Sequence, residues 1–435
     1  MHPNPRVLVV ADADDSLDSL CEGLDRLGWR TLTARNLDAA VLALEDLTID
    51  AAVVDTTLLD ASAITRLRSS TDARYLTVLG VGTPVGSGLN GCDLTLSRVP
   101  HPAQAAMRLE QMTRAAVAEE EFVLRQATFG QHGVALAAPD LESAPLNILT
   151  AGAADRRFLA LSNALVKLGA EVVAAPTPYT AFDYLHERAF DAAVLWGDRS
   201  HAPALAIAAG MRRNTRLYHI PLTLYLRDEE AGGALGDLYR RGFADVADPA
   251  TPEEDAAARV VALARNHRRQ QGLRQALDAV RGSDLMDAAT GLFSRDLFAS
   301  HLSRLVDGAR VRSRPLSIGV LRVAGREALD ELRAGGWLEK AMPQVGAMVS
   351  RLVRVEDTAA RLSSETFALA LPATDEASAR VTAERIAAVI ACTAFDAGRN
   401  RSPFVVELDV GVAQLSAEDT ALTLLERAAA GLTRA

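Results

Sequence analysis

Short apolar runs alternate with amphipathic stretches along the first part of the chain. Unbroken apolar runs predict strands covered on both faces, and their alternation with helices predicts a parallel sheet. Arg6–Val10 is the first such run, ending at Ala11-Asp12. Residues 15–27 then place Leu17, Leu20, Leu24 and Leu27 on one side of a helix. Ala51–Asp55, Leu76–Val81 and Leu94–Leu96 predict further strands.

A second block repeats the first. Asn147–Ala151 matches Val7–Ala11, and Phe158–Gly169 matches the first helix down to the closing Leu-Gly. IDAAVVD (Ile49–Asp55) is echoed by FDAAVLW (Phe190–Trp196), and His219–Tyr225 and Ala244–Val246 supply later strands. Repetition at this scale reads as duplication of one domain type. Between the blocks, residues 129–146 are rich in Gly, Pro and Ala and read as a linker.

From Thr251 to about Val280 the pattern is one long helix, opened by Thr251-Pro252-Glu253-Glu254. Pro in the first turn and acids at the positive dipole end suit such a start. Leu273, Leu277 and Val280 mark an apolar stripe, read equally as packing on its own domain or as a dimer seam. In the third block, Leu316–Val323 and Val405–Val412 predict strands, and Thr358–Leu362 with Phe367–Leu371 a hairpin. Helices are expected at 296–306, 375–393 and 420–433.

Length and composition narrow the functional classes. At roughly 150 residues per domain, the 435 residues suggest about three domains. The division expected is 1–128, 146–270 and 284–435. Lys plus Arg is 46 against 56 for Asp plus Glu, a net charge of −10, which argues against a nucleic-acid partner. Cys21, Cys92 and Cys392 are scattered, so no zinc site or disulfide framework is expected. The N-terminal run turns acidic at once and no apolar stretch could span a bilayer. A cytoplasmic setting without membrane insertion is expected.

The first block offers two carboxylates, Asp12 and Asp55, at the carboxyl ends of neighbouring strands, where open α/β sheets place their sites. Two close acids there can hold Mg²⁺, and one can accept a phosphoryl group. This block resembles a response-regulator receiver domain, with Asp55 at the phosphoacceptor position and Asp12 in the acidic pocket. It departs from that family after the first strand, where Ala11-Asp12 replaces two acids and Asp14 and Asp15 follow. Gly82, with Thr83 next, stands for the family's Thr/Ser, and Arg98-Val99-Pro100 for its Lys-Pro. The second block has Trp196 at the acceptor position and Ala151-Gly152 in place of acids, so it is read as a degenerate packing or dimerisation module. Arg156 and Arg157 there are read as solvent-facing, with an anion as the alternative.

In the third block, DAATGLFSR (Asp287–Arg295) and RLSSETF (Arg361–Phe367) are followed by ALALP (Ala368–Pro372) and Ala383-Glu384-Arg385-Ile386. These resemble, in order and spacing, the landmarks of GGDEF diguanylate cyclase domains. With two receiver-like blocks in front, the whole resembles PleD-like response regulators, and among them the PopA-like branch with a degenerate cyclase domain. The fold implied is α/β: two flavodoxin-like receiver domains with parallel five-stranded sheets, then a GGDEF-type α/β domain.

The cyclase reaction needs a Mg²⁺ cradle and a close approach of triphosphate to a glycine turn. Here the signature is Ser363, Ser364, Glu365, Thr366 and Phe367. Arg322 falls near the expected metal-ligand position, where a cation repels Mg²⁺. Asp330 is the nearest residue to the expected guanine-reading pair. Neither a catalytic set nor a metal site is therefore expected in this domain.

Arg354-Val355-Glu356-Asp357 is an R-x-x-D at the spacing of the family's inhibitory c-di-GMP site, and Arg385 stands where the family supplies a further arginine. Arg suits guanine O6/N7 or phosphate, and Asp accepts from guanine N1 and N2. The resemblance thus implies a non-enzymatic c-di-GMP receptor binding at Arg354, Asp357 and Arg385, with homodimerisation through the receiver-like domains. It also implies an adaptor at the cell pole, passing a cell-cycle regulator to the ClpXP protease with other adaptors. Two alternatives stand beside it: a weak or phosphorylation-regulated diguanylate cyclase, and a phosphorylation-gated scaffold that ignores nucleotides.

Overall fold

Val7, Leu8, Val9 and Val10 are all buried, as an unbroken apolar strand between two helical layers requires. In the computed structural model the described residues are 5–11, 15–71, 75–82, 91–96, 100–139, 144–197, 201–214, 216–227, 235–280, 282–398 and 401–434. They form two units. One comprises Arg6–Ala115 with Pro139–Gly272, and the other Ala116–Ala138 with Leu273–Ala435.

The first unit holds both receiver-like blocks. The first block runs β1 (Arg6–Val10), α1 (Asp15–Arg26), β2 (Arg30–Ala34), α2 (Leu37–Asp46), β3 (Ala51–Asp55), α3 (Ala61–Ser69), β4 (Thr77–Val81), β5 (Leu94–Leu96) and α4 (Pro102–Gln131). Its sheet has the order β2-β1-β3-β4-β5, with every pairing parallel.

The second block runs β6 (Leu146–Ala151), α5 (Arg156–Lys167), β7 (Ala170–Ala175), α6 (Pro178–Glu187), β8 (Ala192–Gly197), α7 (Ala202–Arg213), β9 (Leu222–Leu226), α8 (Leu235–Arg240), β10 (Asp245–Ala247) and α9 (Glu253–Ala279). The order β7-β6-β8-β9-β10 repeats the first sheet strand for strand. Both are doubly wound sheets whose switch point lies beside the third strand.

α4 and α9 are the long helices. The helix expected over 251–280 is found as α9. α4 reaches Gln131 and so enters the segment expected to be a linker from residue 129. Residues 116–131 of α4 and 273–279 of α9 belong to the second unit. There Leu273 is buried and Leu277 and Val280 pack on the core of α10. The apolar stripe therefore covers the C-terminal domain.

The C-terminal domain runs α10 (Arg295–Val311), β11 (Leu316–Val323), α11 (Glu327–Ala334), α12 (Trp337–Leu352), β12 (Thr358–Ser363), β13 (Thr366–Pro372), α13 (Glu376–Ala391), β14 (Leu408–Gln414), α14 (Ala421–Ala430) and β15 (Thr433–Arg434). Its sheet, β12-β13-β11-β14-β15, has antiparallel pairings throughout. α12 and α13 cover one face around Met342, Phe367 and Ile386, and α10 and α14 cover the other around Phe298 and Leu424.

Candidate functional site

The turn between α12 and β12 carries Arg354 and Asp357. It is short because the helix ends at Leu352 and the strand starts at Thr358. The Arg354 backbone N–H donates to Asp357 Oδ2 at 2.8 Å, and the Asp357 N–H donates to the Arg354 carbonyl at 3.3 Å. Asp357 is 6% exposed, and among the described residues its Oδ1 has no hydrogen-bond partner. Burial, reinforced by neighbouring Glu356, pushes its carboxyl up to about 7. Half-buried Arg354 has no hydrogen bond or ion pair from its guanidinium among the described residues.

This turn lines a cleft of about 390 Å³, whose walls include Arg125, Arg274, Arg351, Arg354, Asp357 and Thr358. Arg385, exposed on α13, donates to the Leu352 carbonyl at 3.4 Å, two residues before Arg354. Arg354 and Asp357 thus lie on the cleft wall, while Arg385 bonds the backbone at the end of α12, just ahead of their turn. The guanidiniums of Arg274, Arg351 and Arg354 on the same cleft wall as the buried Asp357 carboxylate suit an anion that also carries hydrogen-bond donors, while Arg125 spends its own on the turn's backbone.

Three of the cleft arginines, Arg125, Arg274 and Arg351, were not singled out from sequence. Arg125 lies on α4 and Arg274 on α9, outside the segment that carries the C-terminal motifs. The only sequence signal was the spacing of Glu121 and Arg125, which on a helix reads as an ordinary surface pair. Instead the pair is buried, at 3.1 Å.

The signature hairpin lies elsewhere in the same domain. Arg361 holds its turn: Nε donates to the Ser363 carbonyl at 3.2 Å and Nη2 to the Ser364 carbonyl at 2.9 Å. The same guanidinium pairs with Glu339 at 2.7 Å and approaches Asp287 at 3.5 Å. Glu365 is engaged by Arg333, Nε to Oε1 at 2.8 Å and Nη2 to Oε2 at 2.9 Å. Arg322 approaches Asp409 at 3.8 Å, Arg326 pairs with Glu407, and Asp330 pairs with Arg333 at 2.9 Å. Thr366 opens β13, and Phe367 is buried in the core.

In the first block Asp55 ends β3, and its Oδ1 accepts from the Thr57 backbone N–H at 2.8 Å and hydroxyl at 2.6 Å. Asp12, Asp14, Thr83, Arg98 and Val99 lie outside the described residues, and so does half of the proposed Mg²⁺ pair.

In the second block, Trp196 fills the corresponding position, its ring centre 4.6 Å from that of Tyr225 and 5.6 Å from that of Phe158, both pairs tilted. Gly152 sits against it with φ +146, and a Cβ there would come 2.6 Å from Trp196 Cβ. Arg157 does not stand free as the sequence suggested: it bonds Glu253 at 3.1 Å and the Tyr225 hydroxyl at 2.7 Å, while Arg156 is exposed.

Two parallel five-stranded sheets of one order are followed along the chain by an antiparallel five-stranded sheet. Residues 284–435 match the family model of the diguanylate cyclase GGDEF domain. The chain is 25% identical over 232 residues to the response regulator PleD of Caulobacter vibrioides, covering 53% of this chain and 51% of that protein. The match thus spans about half the length of the curated relative. Among solved structures, it is similar to the GGDEF domain of DgcB from Caulobacter crescentus in complex with c-di-GMP, at 19% identity and TM-score 0.31, covering 34% of this chain and 84% of that one. The FimX GGDEF domain from Pseudomonas aeruginosa gives 19% identity and TM-score 0.31 over 34% of this chain and 91% of that one. Among the described residues no helix is long and apolar enough to cross a membrane.

Proposed function

We propose that this regulator is a non-catalytic receptor for c-di-GMP, bound at Arg354, Asp357 and Arg385. The observation that carries the reading is Asp357. It is buried on a cleft wall with one oxygen satisfied by its own turn and the other without a donor among the described residues. Leaving a buried acceptor unmade costs about 1–3 kcal/mol, a cost relieved where a ligand brings the missing donor. Guanine N1–H and N2–H are such donors, and the arginines of the same cleft match the phosphodiesters. The cleft volume is within the range of small-molecule sites.

The state of the signature hairpin supports the non-catalytic part. Glu365 has both oxygens in a two-pronged bond to Arg333, so a metal ion would have to displace a cation to reach it. Ser363 and Ser364 put side chains where the reaction wants a bare backbone turn. By resemblance, we extend the reading to a ligand-controlled adaptor at the cell pole that passes a cell-cycle regulator to the ClpXP protease. Calorimetric titration with c-di-GMP, beside Arg354→Ala, tests the site. Equal affinity in the two proteins would refute the assignment.

A further inference from the structure

The turn that would hold the ligand is fixed by a side chain from a helix that begins in the first receiver-like domain. Arg125 of α4 is 2% exposed. Its Nη1 donates to the Val355 carbonyl at 2.8 Å, and its Nη2 to the Asp357 carbonyl at 3.0 Å and to the Thr358 hydroxyl at 3.0 Å. The two carbonyls lie on either side of Glu356, so one planar fork sets the backbone that aims the Asp357 carboxylate. The turn's internal bonds alone are fewer, and one of them uses that same carboxylate.

Arg125 is itself held. Its Nε donates to Glu121 Oε1 at 3.1 Å. That oxygen also meets His301 Nε2 of α10 at 2.7 Å and accepts from the Thr358 hydroxyl at 3.1 Å. His301 Nδ1 lies 3.0 Å from the Thr128 hydroxyl, one turn further along α4. Helix, turn and strand are thus joined in one buried polar network, and such networks impose a single geometry when their members are in place.

We propose that Arg125 is a positioning residue for c-di-GMP. Docking of residues 116–131 of α4 on the C-terminal domain presets the Arg354–Asp357 turn, and ligand binding in turn stabilises that docking. The inference rests on the receptor reading above. Its physical content is preorganisation: a turn already fixed loses less freedom on binding. Reciprocity follows, because a helix that favours the ligand must be favoured by it to the same extent.

The test uses the full chain and two readouts. The first is hydrogen exchange of wild-type protein with and without saturating c-di-GMP. Amides of residues 121–131 become at least severalfold better protected when ligand is present. The second is calorimetric affinity for Arg125→Lys and Arg125→Gln. Affinity falls at least tenfold in Arg125→Gln and less in Arg125→Lys, which keeps the charge without the fork. The exchange measurement needs no variant, so misfolding of Arg125→Gln leaves the proposal testable. Ligand heat in the wild type with unchanged protection of α4 overturns this inference alone. Absence of ligand heat in the wild type overturns the receptor reading and this inference with it.

Discussion

Arg333 holds Glu365 by two parallel bonds, 2.8 and 2.9 Å long, at the hairpin that names the domain family. A fork to a carboxylate is the strong form of an ion pair, and here it occupies the surviving acid of the signature. Incubation with GTP and Mg²⁺ is expected to yield no c-di-GMP. Arg333→Ala, which frees Glu365, is expected to stay inactive because Ser363, Ser364 and Thr366 remain. Chromatography of the nucleotide products checks both; product from either protein would revive the cyclase reading.

Affinity for c-di-GMP should depend on pH through Asp357. Its carboxyl sits at about 7 when the ligand is absent. Guanine donors prefer the ionised form, so proton release precedes binding at low pH. Between about pH 6 and pH 8, affinity should rise roughly tenfold. A flat profile would mean that Asp357 does not meet the ligand.

The same group gives a stability prediction of opposite sign to the usual carboxylate. Its folded value is raised, so ionised Asp357 lowers stability above that value. The cost fades as pH falls from about 7 towards the ordinary carboxylate range. Asp357→Asn keeps an acceptor for the Arg354 N–H and removes the charge. Without ligand, its melting temperature should exceed that of the wild type at about pH 8, and the gain should shrink towards about pH 4.

Asp245 of β10 lies fully buried among Arg108 at 3.4 Å, Arg259 at 3.2 Å and Gln104 at 2.5 Å. Burial alone would raise its carboxyl, but Arg259 and Arg108 outweigh burial and hold it below the ordinary range. Asp245→Asn strands two buried guanidiniums and should cost about 3–5 kcal/mol. Denaturant titration measures it. A loss below about 1 kcal/mol would contradict an intact buried cluster.

Gly152 tests the second receiver-like block. Its positive φ and the Trp196 ring behind it both exclude a side chain. Gly152→Ala should destabilise by about 1–3 kcal/mol. An unchanged melting temperature would mean the ring does not sit there.

The doubled parallel sheets were legible because each central strand is an unbroken apolar run and IDAAVVD reappears as FDAAVLW. The hairpin of the third domain was legible as two largely apolar runs, Thr358–Leu362 and Phe367–Leu371, on either side of a short polar turn. α12 was not predicted: Gly336 caps it at φ +71 and Pro343 lies within it, both residue types that weaken a helical pattern in sequence. Of the proposed site, Arg354, Asp357 and Arg385 were named from the resemblance to the family's R-x-x-D pattern. Arg125 was not, because its partners lie more than two hundred residues away and only the fold brings them together.

The most direct measurement of the central claim is calorimetric titration of the full chain with c-di-GMP at about pH 8, beside Asp357→Asn. The account predicts micromolar or tighter binding in the wild type and at least tenfold weaker binding in a variant that remains folded. Absence of heat in the wild type, or equal affinity in the two, would contradict it.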